Sequence, residues 1–534
     1  MRKETVGNLS HLPDAIIALI RRALHGDTLV SADQFEIVRS RPHGDGHAVL
    51  MAMDRLGFSR LLSARRCPEA DLVTAMVAAR VIAPHTKLAT TRWWQTRTLA
   101  EDLGVQDASE DDLYAAMDWL LDRQERIEQK LAARHLAPGG LVLYDLTSSY
   151  FEGTTCPLAK RGHNRDGKRD KLQVNYGLVT DGRGRPVAVS VFEGNVADTT
   201  TLLPQVQRLR ERWGLHDVVL VGDRGMISQK AIEALTPLEG LAWITALKSP
   251  QIQKLLRGGA LQLGLFDDRN LFELTDPAYP GERLMACRNP ALATLRAHKR
   301  QDLLAATVAE LEPLQRRVTK GRLRGRAEIG LRVGRVINKY KVAKHFALTI
   351  TDTAFGWTIR TTRVATEAAL DGIYLIRTNV PAAMMSAADT VRNYKALSQV
   401  ERAFRSMKTL DLHVRPIHHR LADRVRSHIF LCMLAYYVEW HKREAWRPLM
   451  FADEDQQAKA TRDPVAPAKR SEAADQQAAS HQLADGTMVH SFHTLLQDLS
   501  AIVRNQCRTR GDDDTPRSWP RPRQHPSSDA RWRC

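Results

Sequence analysis

The spacing of apolar positions changes twice along the chain, and each change predicts a new kind of element. In DDLYAAMDWLLDRQERIEQKLA, Leu113, Met117, Leu120, Leu121, Ile127 and Leu131 recur at helical spacing. Ser109-Glu-Asp-Asp112 precedes them as a capping box, with Asp where Glu or Gln is usual. A shorter helix is expected in TRTLAEDLGV, ending before Gly104. Residues 1–135 therefore read as mainly helical, either a helix-turn-helix-like unit or a plain bundle. The connection between the two helices is longer than the turn of that motif. From Pro138-Gly139-Gly140 onward the runs shorten to LVLYDLTSSYF, KLQVNYGLVTD, RPVAVSVFEG and DVVLVGD, rich in Val, Leu and Tyr. Asp181-Gly182 and Gly184 mark a tight turn between the second and third. Thr199–Trp213 and Ser228–Leu235 read as helices, and LAWITALK as a fifth strand. Three strands, helix, strand, helix, strand predict an α/β fold with a mixed sheet and helices packed on it.

Residues 251–365 break this rhythm. NLFELTD, KHFALTIT and GWTIRTT are strand-like, around one helical stretch, Ala291–Arg317, and a basic run, RRVTKGRLRGR. The segment is expected to be a strand-rich domain inserted into the sheet fold of 139–250 and 366–445. GIYLIRTNV resumes as a strand, followed by helices at Ser386 to about Met407 and at roughly 421–443. From 446 to 534 a polar tail, Ala/Gln/Asp/Pro-rich from about 452 and largely disordered, is expected, because its composition offers little apolar surface to bury.

Composition adds a partner class. The 534 residues carry a net charge of +17, which favours an anionic partner such as nucleic acid or a membrane surface. No membrane association is expected. The apolar stretch Ala15–Ile20 is too short for a secretory leader and runs into Arg21 and Arg22. Ile429–Val438 is about half the length of a bilayer span and reads as a buried core helix. Six scattered cysteines without a CxxC pair suit a reducing cytoplasm. His413, His418 and His419 have no cysteine partners nearby and read as a basic, DNA-facing or surface segment.

Two acids stand at strand ends: Asp145 in LVLYDLTSSYFEG and Asp223 in VVLVGDRGM. Each alone is an ordinary turn-capping residue. If their strands are neighbours, both carboxylates reach one edge and repel unless a cation lies between them. A third acid changes their standing. In NYKALSQVERAFRSMK, Tyr394, Leu397, Glu401, Arg405 and Lys408 fall on one helical stripe about 80° wide. An i,i+4 pair of Glu401 with Arg405 is the plain reading of that stripe. A phenol and an ammonium at its two ends also suit a phosphate backbone crossing it.

The sequence resembles the insertion-sequence DDE transposases, in the subgroup whose third-acid helix carries Y-x2-R-x3-E-x6-K. Tyr394, Glu401 and Lys408 match that spacing, with Leu397 in the place of the Arg. YDLTSSYFEG, GNVADTTTL at 194–202 and VGDRGM also match, so the resemblance spans roughly 140–440. It implies a ribonuclease H-like catalytic core interrupted between Asp223 and Glu401. It further implies that Asp145, Asp223 and Glu401 bind two Mg2+ ions, with Mn2+ as a substitute. The chemistry implied is hydrolysis of DNA at the element ends, then transfer of the 3′-hydroxyls to target DNA. Candidates for contact near the scissile phosphate are Tyr394, Arg402, Arg405 and Lys408. Lys160, Arg161, Arg165, Lys168, Arg169 and Lys171 are candidates for the flanking duplex, or a solvated loop. A cytoplasmic, nucleoid-associated homodimer on double-stranded DNA is expected, reading the terminal inverted repeats through residues 1–135. The alternatives are a ribonuclease H-fold nuclease that never joins, and a DNA-binding derivative without activity.

Overall fold

Where the apolar spacing shortens at Gly140, the main sheet begins. The computed structural model describes residues 11–26, 35–168, 170–267, 269–452, 461–466 and 470–509. Among these, the strands in chain order are β1 (Phe35–Pro42), β2 (Gly140–Tyr150), β3 (Gln173–Asp181), β4 (Pro186–Glu193), β5 (Val218–Val221) and β6 (Leu241–Ala246). They continue as β7 (Leu271–Leu274), β8 (Arg283–Arg288), β9 (Phe346–Ile350), β10 (Phe355–Ile359), β11 (Ile373–Thr378) and β12 (Val503–Thr509).

Eight strands form one sheet in the order β4-β3-β2-β5-β6-β11-β8-β7. β2, β3 and β4 are an antiparallel meander, and β5 and β6 continue parallel to β2. This mixed sheet flanked by helices is the α/β architecture expected from the pattern. β3 is buried along its whole length, so it sits in the middle of a covered layer. The covering element is the helix Ala422–Ala445, in which every residue from Ile429 to Val438 is buried. It packs on β4 and on two N-terminal helices, Pro68–Ile82 and Glu110–Asp122. Burying a side chain of the Leu, Ile or Phe class stabilises by roughly 1.5–3 kcal/mol, so this helix holds the two regions together. The N-terminal helices and the sheet share one apolar core.

The capping box forms as expected, with Ser109 and Asp112 bonded reciprocally. The helix it opens begins Glu110, Asp111, Asp112, and its apolar side is buried. An acidic first turn is ill suited to a DNA groove, which favours the bundle reading over a helix-turn-helix.

Two expectations are corrected. The 251–365 segment is not mainly strands. β7 and β8 belong to the main sheet, beside β11. What is inserted is the helix Pro290–Thr319, a second helix Arg326–Tyr340, the β9–β10 hairpin and a short helix, Thr361–Ala368. The first two helices and the hairpin enclose a core of their own around Leu311, Ile329, Val333, Ile337 and Phe346. Ile329, Val333 and Ile337 form a helical stripe that the surrounding arginines conceal in the sequence. Among the described residues of the tail, 470–509 also form ordered elements. Ser471 caps a helix at Glu472–Ser480, Phe492, Leu495 and Leu496 are buried on the next, and β12 pairs antiparallel with β1. Low average hydrophobicity conceals three well-placed apolar residues.

Candidate functional site

Asp145 lies not at the end of its strand, as expected, but in the interior of β2, opposite Leu178 of β3, because the strand's buried run continues past it to Tyr150. On its other side Leu143 lies level with Val221, so continuing that parallel register two residues brings Asp145 level with Asp223. Asp223 follows the end of β5 and folds its turn. One carboxylate oxygen accepts from the backbone N–H of Gly225 (3.0 Å) and Met226 (2.8 Å). Gly222 permits the turn, because a Cβ there would lie 2.9 Å from Ile227. Asp145 uses one oxygen to accept from the N–H of Leu146 at 2.8 Å. Among the described residues, the second oxygen of each acid accepts no hydrogen bond.

Glu401 comes from the helix Leu397–Arg405, which packs on β2 through buried Val400, Ala403 and Phe404. The Phe404 ring meets Tyr176 of β3 edge-on at 5.8 Å. The opposite side of this helix leaves Glu401, Arg402 and Arg405 exposed. Among the described residues Glu401 forms no ion pair, so its pairing with Arg405 is absent. Leu397, at the position where arginine was expected, is half-buried against the main core.

The charges of these groups act on one another. Asp145 is held up to about 7, first by burial, then by repulsion from Asp223 and Glu401, with Arg165 opposing. The Tyr394 phenol is raised to about 12 by burial and by Asp223, Glu401 and Asp145, against Arg224. It therefore stays protonated and can donate a hydrogen bond. Three carboxylates are a hard-oxygen donor set of the kind divalent cations prefer, and their mutual repulsion is what such a cation relieves. Among the described residues no three acidic, His or Cys side chains are drawn together into a ready-made metal cage. The donor chemistry of three carboxylates fits a hard divalent ion.

The basic candidates separate into committed and free groups. Lys408 is buried and donates to Asp166 at 3.0 Å, a carboxylate that also pairs with Arg415 and accepts from the Tyr150 N–H at 3.0 Å. It thus ties the loop after β2 to the end of the third-acid helix. Arg165 pairs with Asp198 at 2.5 Å, which holds its charge beside Asp145. Lys171 pairs with Glu152 at 2.8 Å. Lys160, Arg161 and Lys168 are exposed, and Arg169 lies outside the described residues. Asp166, Asp198 and Arg224 went unnoticed in the sequence. Asp198 lies within GNVADTTTL, whose match to a family segment was the one available signal.

Gly194, in the same segment, packs directly on the backbone: a Cβ there would lie 2.0 Å from the Gln173 carbonyl oxygen. Gly194→Ala is expected to destabilise the protein by roughly 1–3 kcal/mol through overpacking, seen as a lowered thermal midpoint. An unchanged midpoint would show that this approach is not tight in solution.

A family model described as Transposase DDE domain matches residues 138–438. No curated protein matches the chain. Among solved structures, the chain is similar to the piggyBac transposase synaptic complex with hairpin DNA, at 9% identity and a TM-score of 0.36, covering 85% of this chain and 75% of that one. It is also similar to the Mos1 transposase paired-end complex with left transposon end, at 12% identity and a TM-score of 0.15, covering 47% and 71%. Likenesses that distant carry no argument about this chain's site.

Proposed function

Because the chain belongs to the transposase DDE domain family, we propose that it is the transposase of a bacterial insertion sequence. In this reading it cuts DNA at the element ends and joins the 3′-hydroxyls to target DNA. What supports it is the family match over 138–438, together with the mutual influence of the acids: Asp223 and Glu401 both raise the Asp145 carboxyl and the Tyr394 phenol. The three acids would hold two Mg2+ ions, with Mn2+ as a substitute. When bound, such ions activate the attacking oxygen and offset charge on the leaving one.

The chain's own side chains do the positioning. Tyr394 donates its phenolic proton toward a phosphate oxygen. Arg402 and Arg405, exposed on the third-acid helix, neutralise the backbone beside it. Arg165, steadied by Asp198, balances charge next to Asp145. Lys408 belongs to this scheme as a strut through Asp166, holding the helix that carries Glu401. Lys160, Arg161, Lys168, Arg169 and Lys171 would follow the flanking duplex, and residues 1–135 would recognise the terminal repeats. The reading includes a homodimer on double-stranded DNA in the cytoplasm, associated with the nucleoid. Among the described residues no helix is long and apolar enough to cross a membrane.

The decisive experiment supplies a pre-cut element end with a 3′-hydroxyl, target DNA and Mg2+. Joined product is expected. Cleavage of uncut ends without any joined product would instead identify a nuclease, and neither activity, even with Mn2+, a DNA-binding derivative.

A further inference from the structure

Between the inserted helices and the core lies a cavity of about 530 Å3 that the site residues above do not account for. Six cations line it against two carboxylates. Both carboxylates are already neutralised: Asp371 by Arg300, and Glu367 by Lys344 at 2.6 Å. The other four cations, Arg224, Arg296, Lys299 and Lys341, form no ion pair among the described residues. Like charges gathered around a concave surface without counter-charges raise the local concentration of anions.

Arg224 gives the cavity its direction. It directly follows Asp223, and its charge acts on the Tyr394 phenol. One guanidinium therefore belongs both to the rim of the carboxylate site and to the wall of this cavity. Arg296 and Lys299 lie on the inserted helix Pro290–Thr319, and Lys341 closes the helix Arg326–Tyr340.

We propose that this cavity receives the phosphodiester backbone of the DNA strand leaving the carboxylate site, with Arg296, Lys299 and Lys341 each contacting a phosphate. The proposal rests on the transposase reading and assigns the inserted helices a part in it. The space, about 530 Å3, suits a short stretch of one strand's sugar–phosphate backbone.

The test compares wild type with Arg296→Ala/Lys299→Ala/Lys341→Gly by measuring affinity for random-sequence DNA across a salt series. The probe is a duplex with a single-stranded extension. Alanine suits the two mid-helix positions, and glycine suits Lys341, whose φ is +56°. Each lost contact to a single strand flattens the plot of log affinity against log salt by about 0.7. A reduction of about 2 is expected, with unchanged binding of blunt duplex. An unchanged slope on the extended probe overturns the proposal while leaving the transposase reading intact. Failure of the wild type to bind either DNA overturns both. If the triple variant does not fold, Arg296→Gln and Lys299→Gln, made singly, should each flatten the slope by about 0.7, and no change in either is the contrary result.

Discussion

Asp145→Asn is expected to lower divalent-metal-dependent DNA cleavage by at least about 10³-fold, roughly 4 kcal/mol of transition-state stabilisation, with DNA binding unchanged. The substitution keeps the shape and the oxygen that accepts from Leu146, and removes only the charge. A structural role would make the variant less stable, whereas a ligand role predicts the reverse. The folded protein holds Asp145 at about 7, above its ordinary 3.8, through burial and the repulsion of Asp223 and Glu401. A carboxyl raised by folding contributes its stability below the unfolded value and loses it as pH rises through the folded one. Asparagine mimics the neutral form at every pH. In metal-free buffer the variant should therefore match wild type below about pH 4 and exceed its thermal midpoint at pH 8. Asp223→Asn and Glu401→Gln should lose cleavage as severely. Cleavage retained in any one of them removes that acid from the site.

The parts of this site legible in the sequence are those with local signals. Asp145 and Asp223 lie in or just beyond apolar strand runs, and Glu401 lies on a helix whose period shows on its own. Bringing Asp145 beside Asp223 required the parallel pairing of β2 with β5, a non-local fact that the alternation of helix and strand left open. The insertion was misjudged because short apolar runs such as NLFELTD read as strands wherever they pair. Its second helix was masked by charge, since an arginine-rich surface says nothing about the face beneath. The tail was misjudged by averaging, which hides Phe492, Leu495 and Leu496 among polar neighbours. Lys408 is the instructive case. Its spacing from Glu401 matched the family signature, yet its amine is taken up by a carboxylate 242 residues away in the chain. No local pattern announces such a partner.

That partner supports the second large effect. Asp166→Ala is expected to destabilise the protein by about 3–5 kcal/mol, the usual result of removing one member of a buried ion pair. The Asp166 side chain is 1% exposed and receives two cations, Lys408 and Arg415, together with the Tyr150 N–H. Burial first, then the charges of Arg415 and Arg165, pull the Lys408 amine below its ordinary value, and Asp166 opposes that pull. Without the carboxylate, two cations face each other across a space closed to water. Lys408→Met should cost less, because Asp166 keeps Arg415 and the apolar stem of the lysine is retained. Asp166→Asn should fall between them, since its amide oxygen still accepts from Tyr150 but carries no charge. Urea midpoints of the three variants test this order. Because the Ser406–Leu410 turn follows directly on the Glu401 helix, Asp166→Asn should also lower cleavage under conditions where it remains folded. If Lys408 instead serves DNA directly, Lys408→Met will flatten the salt dependence of binding as much as the loss of Arg405 does, and Asp166→Ala will leave the urea midpoint where it was.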